Sequence, residues 1–380
     1  MDFALTDEQQ AIFDTARDFA VDKMAPEADR WDQDEMLPRD VLNELAELGM
    51  ASIYVGEDYG SGLSRLDSTL IFEALSYGCP TVASFLSIHN MCGWMIDTYG
   101  TDELREAWLP QLGSMQKVAS YCLTEPGSGS DAAALSTSAT KTNEHYVLNG
   151  TKAFISGGGY SDVYLVMVRT GGPGPKGVSA VLVEDGTPGL SFGANERKMG
   201  WKAQPTAQVQ FDDCHIPLTN LVGQEGDGFK YAMAGLDGGR LNIAACALGA
   251  AQAALDKSVS YMGERKAFGQ TLDQFQALQF RLADMEISLQ AARAFLRQAA
   301  WKLDNQSLDA TKHCAMAKKF VTDASFEVAN QALQLHGGYG YLADYGVEKI
   351  VRDLRVHQIL EGTNEIMRLI TVRALLAEAA

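Results

Sequence analysis

Apolar positions along the chain follow three regimes. Up to about residue 117 they recur at helical spacing: Ile12, Ala16, Phe19 and Ala20 share one face, and Thr6 followed by Gln9 has the form of a capping box. Pro38, Pro80 and Pro110 predict breaks between further helical stretches, such as Val41 to Leu48 and Leu66 to Leu75. Helices of this length suit an orthogonal bundle. From about Lys117 the pattern changes to short runs rich in Val, Thr and aromatic residues, separated by turn residues. Val163 to Val168 and Val178 to Val183 predict fully buried strands, joined by a loop from Gly171 to Gly177. Ala207, Val209 and Phe211 alternate as a half-buried strand, and Pro217 closes the region. Tyr146, Leu148, the Asn149-Gly150 pair and Ala153 to Ile155 predict a hairpin, because Asn-Gly suits the type I′ turn between twisted strands.

Helical spacing returns from about Gly226. Leu278, Leu282, Met285, Leu289, Ala292, Leu296 and Ala299 form a bundle seam; Phe320, Ala324, Val328, Ala332 and Leu335 predict a second, and Leu241, Ala245, Leu248, Leu255 and Val259 a third. Four long helices fit this stretch. The chain is therefore expected to be mainly α with a β domain: an N-terminal helical domain over 1–117, a middle β domain over 118–224 and a C-terminal four-helix bundle over 225–380.

Composition narrows the classes. With 380 residues, 46% of them hydrophobic, the chain can bury a large interior across two or three domains. No apolar run approaches the roughly 20 residues of a membrane span, and the start MDFALTDEQQ has neither the basic region nor the apolar core of an export signal. Cytoplasm is the expected compartment for a bacterial chain, or the mitochondrial matrix for a processed form. The formal charge of −18 argues against nucleic acid and against an anionic membrane surface as partners. Cys79, Cys92, Cys122, Cys214, Cys246 and Cys314 lack C-x-x-C spacing, and the six histidines lack H-E-x-x-H spacing, so buried thiols and no metal are expected.

Three glycine-rich polar strings carry the candidate chemistry: YCLTEPGSGSD at Tyr121 to Asp131, LHGGYGY at Leu335 to Tyr341 and ILEGTNEIMR at Ile359 to Arg368. Gly127 and Gly129 permit close backbone approach to a ligand, and Ser128 and Ser130 add hydroxyls. Taken singly, such a loop is more often a plain turn. Neither a G-x-G-x-x-G fingerprint nor a Walker A loop is present, which disfavours a nicotinamide or ATP enzyme of the usual kind.

Together and in this order, the three strings resemble the acyl-CoA dehydrogenase family. MAPEADRWD at Met24 to Asp32, KAFISGG at Lys152 to Gly158, KMGW at Lys198 to Trp201, EGDGF at Glu225 to Phe229 and R-x-x-F-G at Arg265 to Gly269 extend the resemblance over the whole chain. It implies a middle domain of β-barrel or sandwich form, FAD between the β domain and the bundle, an acyl-CoA substrate, electron-transfer flavoprotein as acceptor and a homotetramer. By the same resemblance Tyr121, Leu123, Thr124, Gly129 and Ser130 are flavin contacts, Ser130 also lying near the acyl-CoA. Phe154, Ile155 and Ser156 stand beside the isoalloxazine, with the Ser156 hydroxyl toward N5 and Phe154 where many members have Trp. Arg265, Phe268, Gln276 and the string Gln334, Leu335, His336, Gly337 and Gly338 are implied contacts to the diphosphate and adenosine of FAD held by a neighbouring subunit. Thr363, Asn364 and Glu365 form the last flavin loop. Asp237, Gly238, Gly239 and Arg240 are implied acyl-CoA contacts, as is Arg373 near the nucleotide end.

Removing the weakly acidic α proton of a thioester requires a base and donors for the developing enolate oxygen. By the same resemblance, Glu361 in its E-G-T-N-E string is the implied base. Some members carry the base at the position occupied here by Gly239, which leaves Glu361 alone in the role. SGLSRLD at Ser61 to Asp67, SIHNMCGWMID at Ser87 to Asp97, RTGGPGPKG at Arg169 to Gly177 and HQILEGTNE at His357 to Glu365 resemble the members that act on isobutyryl-CoA in valine breakdown, and Val55 to Leu63 departs from the commoner string by lacking its proline. 2-Methylbutyryl-CoA and butyryl-CoA remain alternative substrates, since one methylene is worth only about 1–3 kcal/mol in a pocket. Other classes are a flavin oxidase, a nitroalkane oxidase, whose base is Asp, and a non-enzymatic helical scaffold.

Overall fold

The computed structural model describes residues 4–379. Six helices open the chain: α1 (Asp7–Phe19), α2 (Ala28–Asp34), α3 (Arg39–Glu47), α4 (Arg65–Gly78), α5 (Pro80–Tyr99) and α6 (Asp102–Gly113). The capping box at Thr6 and Gln9 is formed, and a second one, Ser64 with Asp67, starts α4. Pro38 and Pro80 stand at helix starts, where a missing N–H costs nothing. Pro110 corrects the expectation of a break: it lies inside α6, within a turn of its end, where the loss of one backbone donor is tolerated.

The middle of the chain forms β1 (Ala119–Cys122), β2 (Ser138–Lys141), β3 (His145–Ser156), β4 (Val163–Arg169), β5 (Val178–Glu184), β6 (Leu190–Phe192), β7 (Thr206–Pro217) and β8 (Leu221–Val222). These make one mixed sheet in the order β6-β7-β3-β2-β4-β5-β8, with β1 pairing β4 in parallel. β4 and, apart from Ser179, β5 read as apolar runs because both their faces are covered. Val163, Leu165, Met167, Ala180 and Leu182 pack with α5 and α6 residues, whereas Tyr164, Val166, Val168, Val181 and Val183 pack with β3 and β7.

The predicted hairpin at Asn149-Gly150 is not formed. β3 runs straight through this pair, and its register against β7 shifts between Leu148 and Gly150, a bulge that places an extra residue on β7. Gly150 at φ 147° serves the bulge, since a Cβ there would stand 2.6 Å from Thr137 Oγ1. Asn149 closes it, accepting from the Asp213 N–H at 2.9 Å and donating to Asp213 Oδ1 at 3.1 Å. The sheet also extends past Pro217 through β8.

The last third forms α7 (Gly228–Glu264), α8 (Gln276–Asp304), α9 (Ala310–His336), α10 (Val347–Arg355) and α11 (Asn364–Glu378). The α8 seam is buried from Met285 to Ala299. Two expected seam positions face outward instead: Phe320 is 39% exposed and Val259 52%. Their neighbours Val321 and Ser258 are the buried residues, so the aromatic and β-branched side chains misled by one position. All six cysteines are free and buried. No helix among the described residues is long and apolar enough to cross a membrane.

Beneath the first glycine-rich string lies a buried ion pair. Lys152 Nζ donates to Glu125 Oε1 at 2.7 Å and to the Leu123 carbonyl at 3.1 Å. Burial pushes the Glu125 carboxyl up, but Lys152 and the donors from Ser136 and Thr137 outweigh it and hold the group at about 2. Breaking a buried pair from one side leaves an uncompensated charge. Lys152→Met is therefore expected to destabilise the fold by about 3–5 kcal/mol, read as a lowered midpoint in chemical denaturation; an unchanged midpoint would contradict this role.

Candidate active site

Glu361 occupies the loop between α10 and α11 in the left-handed region, at φ 55°, followed by Gly362 at φ 89°. A non-glycine residue there carries roughly 1–2 kcal/mol of strain. Its carboxylate lies against α7 at Gly239, where a built Cβ would stand 2.7 Å from Oε2. The residue is partly exposed as a whole, but Oε2 is buried and has no hydrogen-bond partner among the described residues. Desolvation pushes the carboxyl up to about 7, against the opposing pull of the Arg240 and Lys318 cations. Its charge in turn helps raise the Tyr121 phenol and the Cys92 thiol, both raised chiefly by burial, so α7, β1 and α5 converge on this carboxylate.

Arg240 and Asp237 are one turn apart on α7 and paired, Nη1 donating to Oδ1 at 2.6 Å, while Arg240 Nε reaches the Glu361 carbonyl at 3.3 Å. Thr311 Oγ1 donates to Asp237 Oδ2 at 2.6 Å. Gly238 faces Arg65, whose Nη1 would lie 2.5 Å from a Cβ there. Thr363 caps α11 by accepting from the Ile366 N–H at 3.3 Å, Glu365 is exposed, and Arg373 lies exposed further along the same helix. Asn364 is buried, its amide donating to Thr322 Oγ1 and Asp323 Oδ1, so its side chain points into the bundle.

Across from Glu361, the Tyr121 hydroxyl is buried without a partner among the described residues, and the Leu123 and Thr124 carbonyls are taken by Lys152 and by the Ala153 N–H. Gly129 and Ser130 are exposed, and no atom lies within 4 Å of a Cβ built on Gly129. Ser128 is spent within the turn, donating to the Asp131 carbonyl at 2.6 Å. Phe154, at φ 58°, shows 68% of its surface; Ile155 turns its side chain into the sheet core, leaving only its backbone to this face. Ser156 Oγ accepts from Gln204 Nε2 at 3.0 Å and keeps its own proton to donate. An open glycine backbone, an exposed ring and orphaned buried groups fit a flat, partly apolar cofactor such as a flavin.

The remaining predicted residues lie elsewhere. Gln334, Leu335, His336, Gly337 and Gly338 line a cleft of 560 Å³ with Arg265 and Tyr261. Phe268, 97% exposed, projects from the loop after α7, and Gln276 opens α8. From Arg240 to Arg265 the α7 axis rises by about 37 Å, so this cleft is at the opposite end of the bundle from Glu361.

Three segments match one family: residues 6–116 its N-terminal domain, 120–214 its middle domain and 226–376 its C-terminal domain, each described as acyl-CoA dehydrogenase. The chain belongs to the acyl-CoA dehydrogenase family. Its members are FAD-dependent oxidoreductases. The isobutyryl-CoA dehydrogenase of Bos taurus is 55% identical over 375 residues, covering 98% of this chain and 90% of the relative. That of Dictyostelium discoideum is 56% identical over 373 residues, with the same coverage. The structure of butyryl-CoA dehydrogenase from Megasphaera elsdenii superposes with a TM-score of 0.95 at 40% identity, covering 99% of this chain and 100% of that one.

Sequence reasoning missed Lys318 and Arg65. Lys318 stands four residues after Cys314 and three before Val321, both buried, and a lysine at seam spacing was the available signal. Arg65 was hidden at the start of α4, where its guanidinium stacks on Tyr54 at 3.7 Å.

Gly239→Ala tests the fit of the carboxylate. The new methyl group would displace only the flexible end of Glu361, so the fold and the flavin are expected to hold while turnover falls at least tenfold; wild-type turnover would show that the carboxylate does not work from this position.

Proposed function

We propose that this dehydrogenase converts isobutyryl-CoA to methacrylyl-CoA, with Glu361 as the base. The observation that carries the reading is the desolvated Glu361 carboxylate, aimed at the one-residue gap that Gly239 leaves in the wall of α7. A carboxyl poised near neutrality combines an available ionised fraction with enough basicity to take a carbon-bound proton. The C–H pair at the α carbon becomes the new double bond as Glu361 takes the proton, and hydride leaves the β carbon with its electrons. Bound FAD supplies the acceptor for that hydride. The thioester oxygen needs a donor while charge builds on it, and the Glu361 backbone N–H, engaged by no acceptor among the described residues, is the candidate within this loop.

The acyl assignment is supported by the names of the Bos taurus and Dictyostelium relatives and by their identity of 55% and 56% to this chain. The implied flavin residues Tyr121 to Ser130, Phe154 to Ser156 and Thr363 to Glu365 belong to segments on the Glu361 side of the bundle, whereas the cleft at Arg265 and Gln334 lies at its other end. That division supports FAD held between subunits in a homotetramer, with 1–117, 118–224 and 225–380 as the units of each subunit and electron-transfer flavoprotein as the electron acceptor. A holoprotein that sedimented as a monomer would contradict the shared site.

Glu361→Gln is nearly isosteric and cannot accept the proton. It is expected to retain the yellow flavin and lose turnover by orders of magnitude. Steady-state assays with isobutyryl-, butyryl- and isovaleryl-CoA are expected to give the highest kcat/KM for isobutyryl-CoA; a preference for butyryl-CoA would leave the base standing and overturn the branched-chain assignment.

A further inference from the structure

Buried lysines in this protein normally come with a carboxylate. Lys152 has Glu125 at 2.7 Å and Lys349 has Asp353 at 2.6 Å. Lys318 does not: it is fully buried on α9, and no carboxylate lies within ion-pair distance of it among the described residues. Its ammonium donates instead to two neutral acceptors, the Gly362 carbonyl at 2.8 Å and Asn364 Oδ1 at 2.9 Å. A buried cation without an ion-pair partner is costly, and it persists where something else requires it.

Both acceptors belong to the turn that carries Glu361. Gly362 follows the base directly, and Asn364 begins α11. The turn holds two consecutive residues at positive φ, a conformation that a free loop abandons unless its surroundings fix it. Lys318 is joined there by Thr322, one turn along α9, which receives a hydrogen bond from the Asn364 amide at 3.0 Å.

We propose that Lys318 is a positioning residue for the reaction: it pins the Gly362–Asn364 turn beneath Glu361 and sets a buried cation against that turn. The inference rests on Glu361 being the base. Burial lowers the Lys318 ammonium to about 7, and among the charges that act on it the Glu361 carboxylate is the strongest in its favour. The other groups facing the pair are Arg240 from α7, which opposes Lys318, Asp323 on α9 and Glu365 on α11, which support it more weakly, and the neutral Tyr121 and Cys92 on the far side of Glu361. His357, just before the turn, is held neutral by burial, at about 4.

The test compares Lys318→Met, Lys318→Arg and Asn364→Ala as flavin-loaded enzymes. The rate of anaerobic flavin bleaching is followed against pH with both isobutyryl-CoA and butyryl-CoA, so that an error in the acyl assignment does not decide the result. Loss of the cation is expected to move the acid limb of the profile to higher pH by about one unit, which slows bleaching roughly fivefold at pH 7 and roughly tenfold well below it. Lys318→Arg restores the limb because the charge is kept. Asn364→Ala slows bleaching without moving the limb, since it loosens the turn and leaves the cation in place. An unmoved limb in a folded, flavin-loaded Lys318→Met enzyme overturns the inference. Should that variant fail to hold flavin, wild-type bleaching by Asn364→Ala overturns it instead. A Glu361→Gln enzyme that still bleaches at the wild-type rate removes the base itself, a failure separate from that of Lys318.

Discussion

Withholding water from one carboxylate is the constraint on which this structure depends. Glu361 Oε2 is buried with no partner among the described residues, and the segments that enclose it come from distant parts of the chain: α5, β1, α7 and the loop before α11. Desolvation makes the carboxyl a stronger base than an exposed glutamate. The same desolvation disfavours its charge, and the nearby cations Arg240 and Lys318 offset part of that penalty without forming a direct ion pair to Oε2. A direct pair would hold the carboxyl well down and remove its basicity. Desolvation, only partly offset by these two cations, is thus what sets the site near neutrality.

The walls of this site are held to each other by buried polar links. Asp353 on α10 accepts from the Trp201 N–H of the β region at 2.6 Å, from Thr81 on α5 at 3.2 Å and from Lys349 at 2.6 Å. Arg352 beside it reaches Asp32 on α2 at 2.8 Å. One short helix therefore fastens the first helices, the sheet and the bundle together immediately before the chain enters the Glu361 turn. A loosened junction at α10 would reach the base through eight residues of chain.

Patterns tied to burial read correctly from the sequence. The Thr6 capping box, the two-sided apolar strands at Val163 and Val178 and the α8 seam all follow from local periodicity, and the structure forms each of them. The readings that failed did so where a tertiary partner decides. Asn149-Gly150 is compatible with a hairpin turn and with a bulge, and only the Asp213 contact across the sheet selects the bulge. Phe320 is apolar and lies next to the seam, but the α9 face that meets α8 and α7 is set one residue further on. At the site, Glu361 was legible only through the resemblance of its E-G-T-N-E string to the family, since a single glutamate in an acidic chain otherwise reads as a solvated surface group. Lys318 was not, because a lone lysine in a helix reads as a solvated group until its surroundings are known.

The central claim is that a desolvated Glu361 removes the α proton. It is tested most directly by the anaerobic bleaching rate of the holoprotein with isobutyryl-CoA carrying deuterium at the α carbon, compared with the ordinary substrate above and below pH 7. The account predicts a rate that rises with pH through about 7 as the carboxyl ionises, with a primary isotope effect from the labelled carbon. A rate flat across that range and indifferent to the label would contradict it.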